Sequence, residues 1–174
     1  SKSIRKKISE IQTITIIGAG FIGLEIATTA LQLNKDVTII ENSENVMGRS
    51  ISKDLSKWLI NYYTKSGIKF IFNKYFKSFK SDENSIMNVI LSDDTKINSE
   101  MVLISAGSQP NDLLFKSIKV NEFNKIKVNS FLETNIDDIY AIGDCCFFDY
   151  YSKEFRLESI QNATDQAKTV AKNI

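Results

Sequence analysis

Three glycines, Gly18, Gly20 and Gly23, constrain the fold of this chain more than any other feature of its sequence. A β-branched run at residues 13–17 leads directly into them, and an amphipathic helical pattern follows at once. A second apolar run, residues 37–40, is typical of the next strand. Strand, glycine turn, helix and strand in this close succession predict a βαβ unit, which begins a parallel sheet with helices packed on its faces.

The spacing of the glycines predicts a site for the diphosphate of a dinucleotide. Gly18 permits the tight turn after the strand, Gly20 lets a pyrophosphate approach the backbone, and Gly23 permits close packing of helix on strand. Phe21 and Ile22 lie in the first turn of the helix, where free N–H groups and the positive end of the helix dipole favour a bound anion. The alternative is a tight turn without a ligand, but the strand before the glycines and the helix after them favour the binding site.

Glu41 ends the second predicted strand, about 20 residues beyond the glycines, where a carboxylate can accept hydrogen bonds from both hydroxyls of an adenosine ribose. The same carboxylate repels a 2′-phosphate, and residues 42–45 contain no arginine to bind one. The sequence therefore predicts NAD as the cofactor and favours NADH over NADPH. Arg49 is the nearest arginine beyond Glu41 and a further candidate for cofactor contact; the alternative for it is an exposed loop charge.

The pattern up to residue 105 predicts a Rossmann-like α/β domain that includes an antiparallel three-stranded meander. Apolar side chains at helical spacing predict a second amphipathic helix that ends at Gly67, with the stripe Ile51, Leu55, Trp58, Leu59 and Tyr62. A strand at residues 68–72 follows. Three β-type stretches, residues 75–80, 86–91 and 95–97, come next with turn-like connections, and a buried strand follows at residues 101–105.

The pattern changes after residue 111, and we predict a first domain of residues 1–115 and a second of residues 116–174. Short strands at residues 126–128 and 139–142 are expected in the second domain. A final helix follows them, with an apolar stripe of Ile160, Ala163, Ala167, Val170, Ala171 and Ile174.

Two further glycine positions are candidates for ligand contact. The strand before Ala106 and Gly107 opens into a loop of small residues at the carboxyl end of the sheet, where ligands bind in open α/β folds. Gly107 permits close approach of a nicotinamide ribose; an ordinary strand exit is the alternative. Gly143 and Asp144 follow another apolar strand, which places a carboxylate where it can bind sugar hydroxyls; a helix or turn cap is the alternative for Asp144.

Composition argues against several kinds of chemistry. The net charge of +1 provides no electrostatic reason to expect nucleic acid or a membrane surface as a partner. Histidine, the commonest general base and transition-metal ligand, is absent. The two cysteines, Cys145 and Cys146, are adjacent, so neither a relaxed disulfide nor a metal site is predicted. No apolar run approaches the ~20 residues of a spanning helix, and we expect a cytoplasmic, reducing environment.

Three segments together resemble the FAD-dependent pyridine nucleotide-disulfide oxidoreductases, the flavoproteins with two dinucleotide-binding domains. Residues 18–25 (GAGFIGLE) resemble the NADH motif of that family, and residues 139–144 (IYAIGD) resemble its second FAD motif. Residues 156–167 (RLESIQNATDQA) are most similar to the ferredoxin, putidaredoxin and rubredoxin reductase branch. The resemblance covers residues 11–172, with an NADH domain first and the rear part of an FAD domain after it.

The resemblance implies roles for several side chains. Glu25 would lie near the nicotinamide and the flavin as the catalytic-site glutamate, Asp144 would bind the FAD ribityl chain, and the backbone of Ile160 would approach the flavin ring. The activity implied is hydride transfer from NADH to FAD, followed by passage of electrons to a small iron–sulfur protein such as a ferredoxin or to a rubredoxin.

Other interpretations stay open. A thiol-disulfide reductase or NADH oxidase of the same family, or a non-enzymatic NAD(H)-binding module, is compatible with the same motifs. The family opens with an additional G-x-G-x-x-G motif for the FAD diphosphate, and nothing before Gly18 resembles it. Retention of FAD by this chain is therefore an open question.

Overall fold

Two polypeptide units, Ser1–Gly107 and Ser108–Ile174, make up the computed structural model. The structure describes residues 2–48, 50–81, 87–107, 118, 126–151 and 153–174. The domain boundary predicted between residues 115 and 116 lies outside these described residues, as does Arg49.

The first unit is built on a parallel sheet of four strands with helices beside it. These elements are α1 (Lys2–Glu10), β1 (Thr13–Ile17), α2 (Phe21–Gln32), β2 (Asp36–Ile40), α3 (Lys53–Lys65), β3 (Lys69–Ile71) and β7 (Met101–Ile104). The strand order is β3-β2-β1-β7, and Ile16 on β1 lies between Ile39 of β2 and Leu103 of β7.

Alternation along the strands divides their side chains between two apolar layers. One layer contains Ile14, Ile16 and Ile39 together with Leu24 and Ala27 of α2, all at most 4% exposed. Each large aliphatic side chain buried in this way stabilises the fold by roughly 1.5–3 kcal/mol. Because β1, β2 and β7 are parallel, their carboxyl ends lie together at one edge of the sheet.

The predicted antiparallel meander is present on the opposite layer and confirms the expected fold class. Its strands are β4 (Phe76–Ser81), β5 (Met87–Leu91) and β6 (Lys96–Ser99), in the order β4-β5-β6. Val89 and Leu91 of β5 are fully buried in the same cluster as Ile17 and Ile40 of the parallel sheet. The meander therefore covers one face of the parallel sheet.

Helix α3 is present, but the predicted apolar stripe on it is only partly correct, since Leu59 packs against the core while three other members are exposed. Leu55, Trp58 and Tyr62 are 46%, 59% and 54% exposed, and Trp58 and Tyr62 stack on each other with ring centroids 5.5 Å apart. The buried side of α3 is that of Ser56 together with Leu59, Ile60 and Tyr63, the last three of which pack against the core of the first unit. The Ser56 hydroxyl donates a buried 2.9 Å hydrogen bond to the Val46 carbonyl oxygen.

The described residues of the second unit form a small mixed sheet, a 3₁₀ turn and an α-helix. Its elements are β8 (Ile126–Val128), a 3₁₀ turn (Gly143–Cys145), β9 (Cys146–Tyr150), β10 (Lys153–Phe155) and α4 (Ile160–Asn173). Strand β8 is parallel to β9, and β9 is antiparallel to β10. The predicted strand β8 is confirmed, whereas residues 139–142 form no strand and contribute a single bridge, Tyr140 to Glu133.

The predicted apolar stripe of α4 is only partly correct. Val170 packs against the core of the second unit, but Ile160 and Ile174 at the two ends of the helix are 89% and 87% exposed. The polar side chain of Gln166 is buried on the inner side of the helix at 9% exposure. A hydrogen bond, described below, accounts for this burial.

Candidate functional site

Gly18 makes the turn that connects β1 to the following helix. Its φ of 103° lies in the left-handed region, and its N–H donates a 2.8 Å hydrogen bond to the carbonyl oxygen of Ile40 on the neighbouring strand. A Cβ at this position would lie 2.8 Å from the carbonyl oxygen of Ser105, the residue directly after β7. Both conformation and space therefore require glycine here.

Gly23 lies where the first turn of α2 packs on this loop. A Cβ here would clash with the carbonyl oxygen of Gly18 and would lie 2.9 Å from the Ser105 hydroxyl oxygen. The helix is fixed at this end by the Leu24 N–H, which donates to the Gly20 carbonyl oxygen at 3.0 Å. The predicted packing role of Gly23 corresponds to this contact.

Gly20 differs from the other two, since a Cβ built on it would have no heavy atom within 4 Å. No side chain caps the N-terminus of α2 among the described residues, and the side chains of Phe21 and Ile22 are 60% and 63% exposed. The first N–H groups of a helix have no intrahelical acceptor and carry partial positive charge. Open space above Gly20 next to these N–H groups suits the close approach of a diphosphate.

Glu41 lies at the carboxyl end of β2 with its carboxylate turned toward the glycine loop. Its Oε2 accepts a 2.8 Å hydrogen bond from the Ala19 N–H inside the loop. Its Oε1 lies 3.0 Å from both the N–H and the hydroxyl oxygen of Ser43, each of which can donate to it. Hydrogen bonds within the protein therefore hold the Glu41 carboxylate, which is predicted to bind the adenosine ribose, beside the glycine loop.

The loop after β7 closes the other side of the strand ends. The Ser105 hydroxyl lies 3.1 Å from the carbonyl oxygens of Ile17 and Gly18 and links the loop to β1. Ala106 and Gly107 are exposed, Gly107 has a φ of 115°, and among the described residues no heavy atom lies within 4 Å of a Cβ placed there. The backbone at Gly107 is thus open to a ligand at the same edge of the sheet as Gly20.

Glu25 is exposed on the second turn of α2, and the hydroxyl of Thr29 donates to its carbonyl oxygen at 3.0 Å. Two residues that contact predicted site residues were not themselves predicted: Ser43 contacts Glu41, and Ser105 contacts Gly18. Serine after a strand end carries no distinctive signal, because it is common in ordinary turns.

Gly143 and Asp144 form the predicted turn of the second unit. Gly143 has a φ of 72°, and its N–H donates a 2.6 Å hydrogen bond to Gln166 Oε1 on α4. Asp144 is exposed, and its carbonyl oxygen accepts a 2.7 Å hydrogen bond from Arg156 Nε. Arg156 is also ion-paired with Glu158. Arg156 and Gln166, both within residues 156–167, therefore hold the turn that contains Asp144.

Helix α4 begins with Ser159 as its cap, whose hydroxyl oxygen accepts a 3.2 Å hydrogen bond from the Asn162 N–H. Ile160, the first helical residue, is almost fully exposed. Gln166, by contrast, was not among the predicted site residues, although it is the side chain that connects this helix to the Gly143 turn.

Residues 1–167 match the model of the family described as pyridine nucleotide-disulphide oxidoreductase. The chain belongs to this family.

The similar proteins include two curated reductases and a solved ferredoxin reductase. The rubredoxin-NAD(+) reductase of Pseudomonas putida is 29% identical over 176 residues, which cover 100% of this chain and 46% of that protein. The rhodocoxin reductase of Rhodococcus erythropolis is 31% identical over 173 residues, 98% of this chain and 40% of that protein. A solved ferredoxin reductase from Rhodopseudomonas palustris is 29% identical with a TM-score of 0.91, over 99% of this chain and 43% of that one.

These relatives confirm the predicted resemblance to the reductase branch of the family. The oxidoreductase chain spans 40 to 46% of the length of the two curated relatives. The substrates and partners of the whole protein are therefore proposed and not inferred from these relatives alone.

The two thiols of the oxidoreductase chain differ in environment. Burial, together with the neighbouring Cys145, raises the pKa of the Cys146 thiol to about 11, whereas Cys145 is exposed. Within the described ranges, no group of three or more His, Cys, Asp or Glu side chains is arranged to hold a metal ion. No helix in the described part of the chain combines the length and apolar character needed to cross a bilayer.

Proposed function

We propose that the first unit binds NADH and that the whole protein transfers hydride from NADH to FAD and passes electrons to a small iron–sulfur protein or rubredoxin. The observation that carries this proposal is the edge of the sheet at Gly20. Open backbone at a helix N-terminus lies there beside a carboxylate already oriented by the glycine loop.

The residues of the first unit have separate tasks in binding NADH. The N–H groups of Phe21, Ile22 and Gly23 bind the diphosphate, and the space left by Gly20 lets it approach. Glu41 accepts hydrogen bonds from the adenosine ribose and disfavours a 2′-phosphate, so NADH is preferred over NADPH. Ala106 and Gly107 offer open backbone to the nicotinamide ribose. Glu25 is the proposed catalytic-site glutamate near the nicotinamide, and Arg49 is a further candidate contact.

The second unit contributes the rear part of an FAD site. Asp144, exposed on a turn that requires glycine beside it, suits a sugar-alcohol hydroxyl of the ribityl chain, and the backbone of Ile160 at the start of α4 approaches the flavin ring. FAD, when bound, supplies the step from two-electron hydride transfer to one-electron transfer. We accordingly assign residues 1–115 to an NADH domain and residues 116–174 to part of an FAD domain.

The relatives support the proposed acceptor, and the thiols support the proposed compartment. The names of the relatives pair a reductase with rubredoxin, rhodocoxin or ferredoxin, which supports a small redox protein as the acceptor here. Both cysteines are free thiols, as expected for a protein of a reducing compartment such as the cytoplasm.

NADH binding is the first test, measured by isothermal titration calorimetry of the purified chain with NADH and NADPH. Binding of NADH, with NADPH clearly weaker, supports the proposal. Replacing Glu41 by alanine should remove most of this discrimination while leaving the loop backbone in place. Absence of NADH binding by the folded wild-type chain would overturn the assignment of the first unit.

FAD is tested by the visible absorption spectrum after incubation with FAD and removal of the excess. Flavin bands that remain with the protein and bleach on addition of NADH support a complete electron path in this chain. A colourless protein that still binds NADH favours a chain that works as an NADH-binding module alone.

A further inference from the structure

We propose a second ligand site in the first unit, a cavity that binds a small neutral polyhydroxy compound such as a monosaccharide or a cyclic polyol. The cavity lies between the parallel sheet and the meander and has a volume of about 470 Å³, within the usual range for small-molecule sites. On β1 and β2 it is lined within the first three residues of each strand, whereas the glycine loop follows the last residue of β1. The cavity is therefore separate from the proposed NADH site.

Three polar side chains from neighbouring strands form a row along one wall of this cavity. Thr15 of β1 is the register partner of Thr38 of β2, and Thr38 is the register partner of Lys69 of β3. Register partners in neighbouring strands point to the same face of a sheet, and the strands are about 4.8 Å apart. Two hydroxyls and an ammonium group are thus presented side by side to the cavity.

The Thr15 hydroxyl is a hydrogen-bonding group that the fold leaves unused. Thr15 is only 1% exposed, yet its hydroxyl forms no hydrogen bond with any other described residue. No polar side-chain atom among the described residues is both sealed from solvent and unpaired, so this hydroxyl is accessible from the cavity. A buried hydroxyl without a partner is less favourable than a valine methyl of nearly the same shape. Thr15 therefore offers the cavity a donor and an acceptor that contribute nothing to folding.

The charged groups of the lining favour a neutral ligand. Lys69 contributes a cation and Asp36 an anion, and neither is ion-paired with another described residue. Asn98 of β6 contributes an amide, which both donates and accepts hydrogen bonds. Because the two charges cancel, the lining favours neither an anion nor a cation. Ligand groups that meet donors and acceptors together must themselves do both, and hydroxyl groups have this property.

The cavity also offers apolar surface. Ile71 of β3 and Ile97 of β6 line it while packing against the core cluster of Val89 and Leu91. A monosaccharide or a cyclic polyol combines C–H surface with several hydroxyl groups. Such a compound matches both the apolar and the polar parts of the lining.

Binding is tested by titrating the isotope-labelled 174-residue chain with myo-inositol, D-glucose and D-galactose and following the amide chemical shifts by nuclear magnetic resonance. At least one of these compounds should give saturable shifts, largest in residues 13–15, 36–38, 69–71 and 97–98. A response to the sugars alone or to myo-inositol alone distinguishes a monosaccharide from a cyclic polyol as the ligand. Acetate, ethylammonium and glycine serve as anionic, cationic and zwitterionic probes and should give no saturable shifts in these residues.

Two valine variants assign the binding to the unused hydroxyl. Thr15→Val keeps the shape of the side chain but removes the hydroxyl, and Thr64→Val changes an exposed threonine of α3 as the matched control. Thr15→Val should raise the Kd of the responding compound about tenfold or more, because a ligand hydroxyl loses its partner, while Thr64→Val should leave it unchanged. Thr15→Val should also melt no lower than wild type, since no hydrogen bond within the protein is lost.

Three results overturn the inference. Absence of saturable shifts with all three polyhydroxy compounds removes the site, and saturable shifts with a charged probe alone show that the class of ligand is wrong. Unchanged affinity in Thr15→Val, or melting several degrees below wild type, shows that the hydroxyl does not serve a ligand. None of these measurements involves NADH, so their failure and the failure of the proposed function are distinguishable.

Discussion

At the scale of single residues, the three glycines of the loop serve unlike purposes. A Cβ on Gly23 would clash with the carbonyl oxygen of Gly18, whereas a Cβ on Gly20 would have no heavy atom within 4 Å. Gly20 also has φ −82° and ψ −171°, a conformation open to any residue. Folding therefore needs glycine at position 23 but not at position 20, as expected if Gly20 serves the proposed diphosphate site.

Matched alanine variants separate these two needs. Gly23→Ala should lower the free energy of unfolding by about 2–3 kcal/mol, because the helix must move off the loop. Gly20→Ala should stay within about 1 kcal/mol of wild type but bind NADH at least roughly tenfold more weakly. Urea unfolding and calorimetric titration measure the two effects. Normal NADH affinity in folded Gly20→Ala would argue against a diphosphate at this position.

The adjacent cysteines should react very differently with thiol reagents. Cys145 is exposed, while burial raises the pKa of Cys146 to about 11, so its reactive thiolate is scarce near pH 8. Titration of the native chain with Ellman's reagent should give one fast thiol, and a second only after denaturation. Cys145→Ser should remove the fast phase. Two equally fast thiols in the native chain would contradict the buried position of Cys146.

At the scale of elements, the side-chain amide of Gln166 connects helix α4 to the Gly143 turn. Gln166 Oε1 accepts the Gly143 N–H at 2.6 Å, and the Cys146 thiol lies 3.6 Å from the same oxygen. A Cβ on Gly143 would lie 3.2 Å from Ala163 Cβ, so helix and turn are in direct contact. The helix therefore sets the position of the turn that carries Asp144.

Removing this amide should destabilise the second unit. Gln166→Leu leaves the buried Gly143 N–H without its acceptor, a loss of about 1–3 kcal/mol in the free energy of unfolding. Gln161→Leu on the exposed side of the same helix removes a hydrogen bond to Asp165 and should cost less than about 0.5 kcal/mol. Urea denaturation followed by far-ultraviolet circular dichroism compares them. Equal effects of the two substitutions would count against the described contact.

At the scale of the whole molecule, the chain brings together segments distant in sequence at one edge of the first sheet. Ser105 bonds to carbonyl oxygens 87 and 88 residues earlier, and Glu41 bonds to Ala19 22 residues earlier. NADH bound at this edge would connect all of these segments.

NADH should therefore slow hydrogen exchange most strongly in residues 17–23 and 41–43. At a concentration of about 100 times Kd, the ligand adds about 2.7 kcal/mol to the free energy of openings that release it, which corresponds to slowing of up to about 100-fold. Exchange measured by mass spectrometry with and without NADH tests the pattern, with Gly20→Ala as the variant that should show little change. Strongest protection elsewhere in the chain would place the binding site elsewhere.

The local order of elements in the first unit could be derived from the sequence, because neighbouring residues carry the signals, whereas β9 and β10 of the second unit were not predicted. Gly18 and Gly23 indicated the turn and the packing of α2, Glu41 indicated the strand end, and the apolar runs indicated the parallel strands and the meander. These inferences depend on backbone conformation and side-chain periodicity, which operate within a few residues.

Only the tertiary structure decided which surfaces meet. Periodicity showed that α3 is amphipathic but could not choose between the side of Leu55 and Trp58 and the side of Leu59, because both sides contain apolar residues. In the folded chain Leu59, Ile60 and Tyr63 pack against the core, and Ser56 bonds to Val46 on that side. Ser43 beside Glu41 and Gln166 beneath Gly143 are likewise polar contacts whose partners are known only once the chain has folded. A hydrogen bond depends on the distance between two atoms, and sequence spacing alone does not determine that distance.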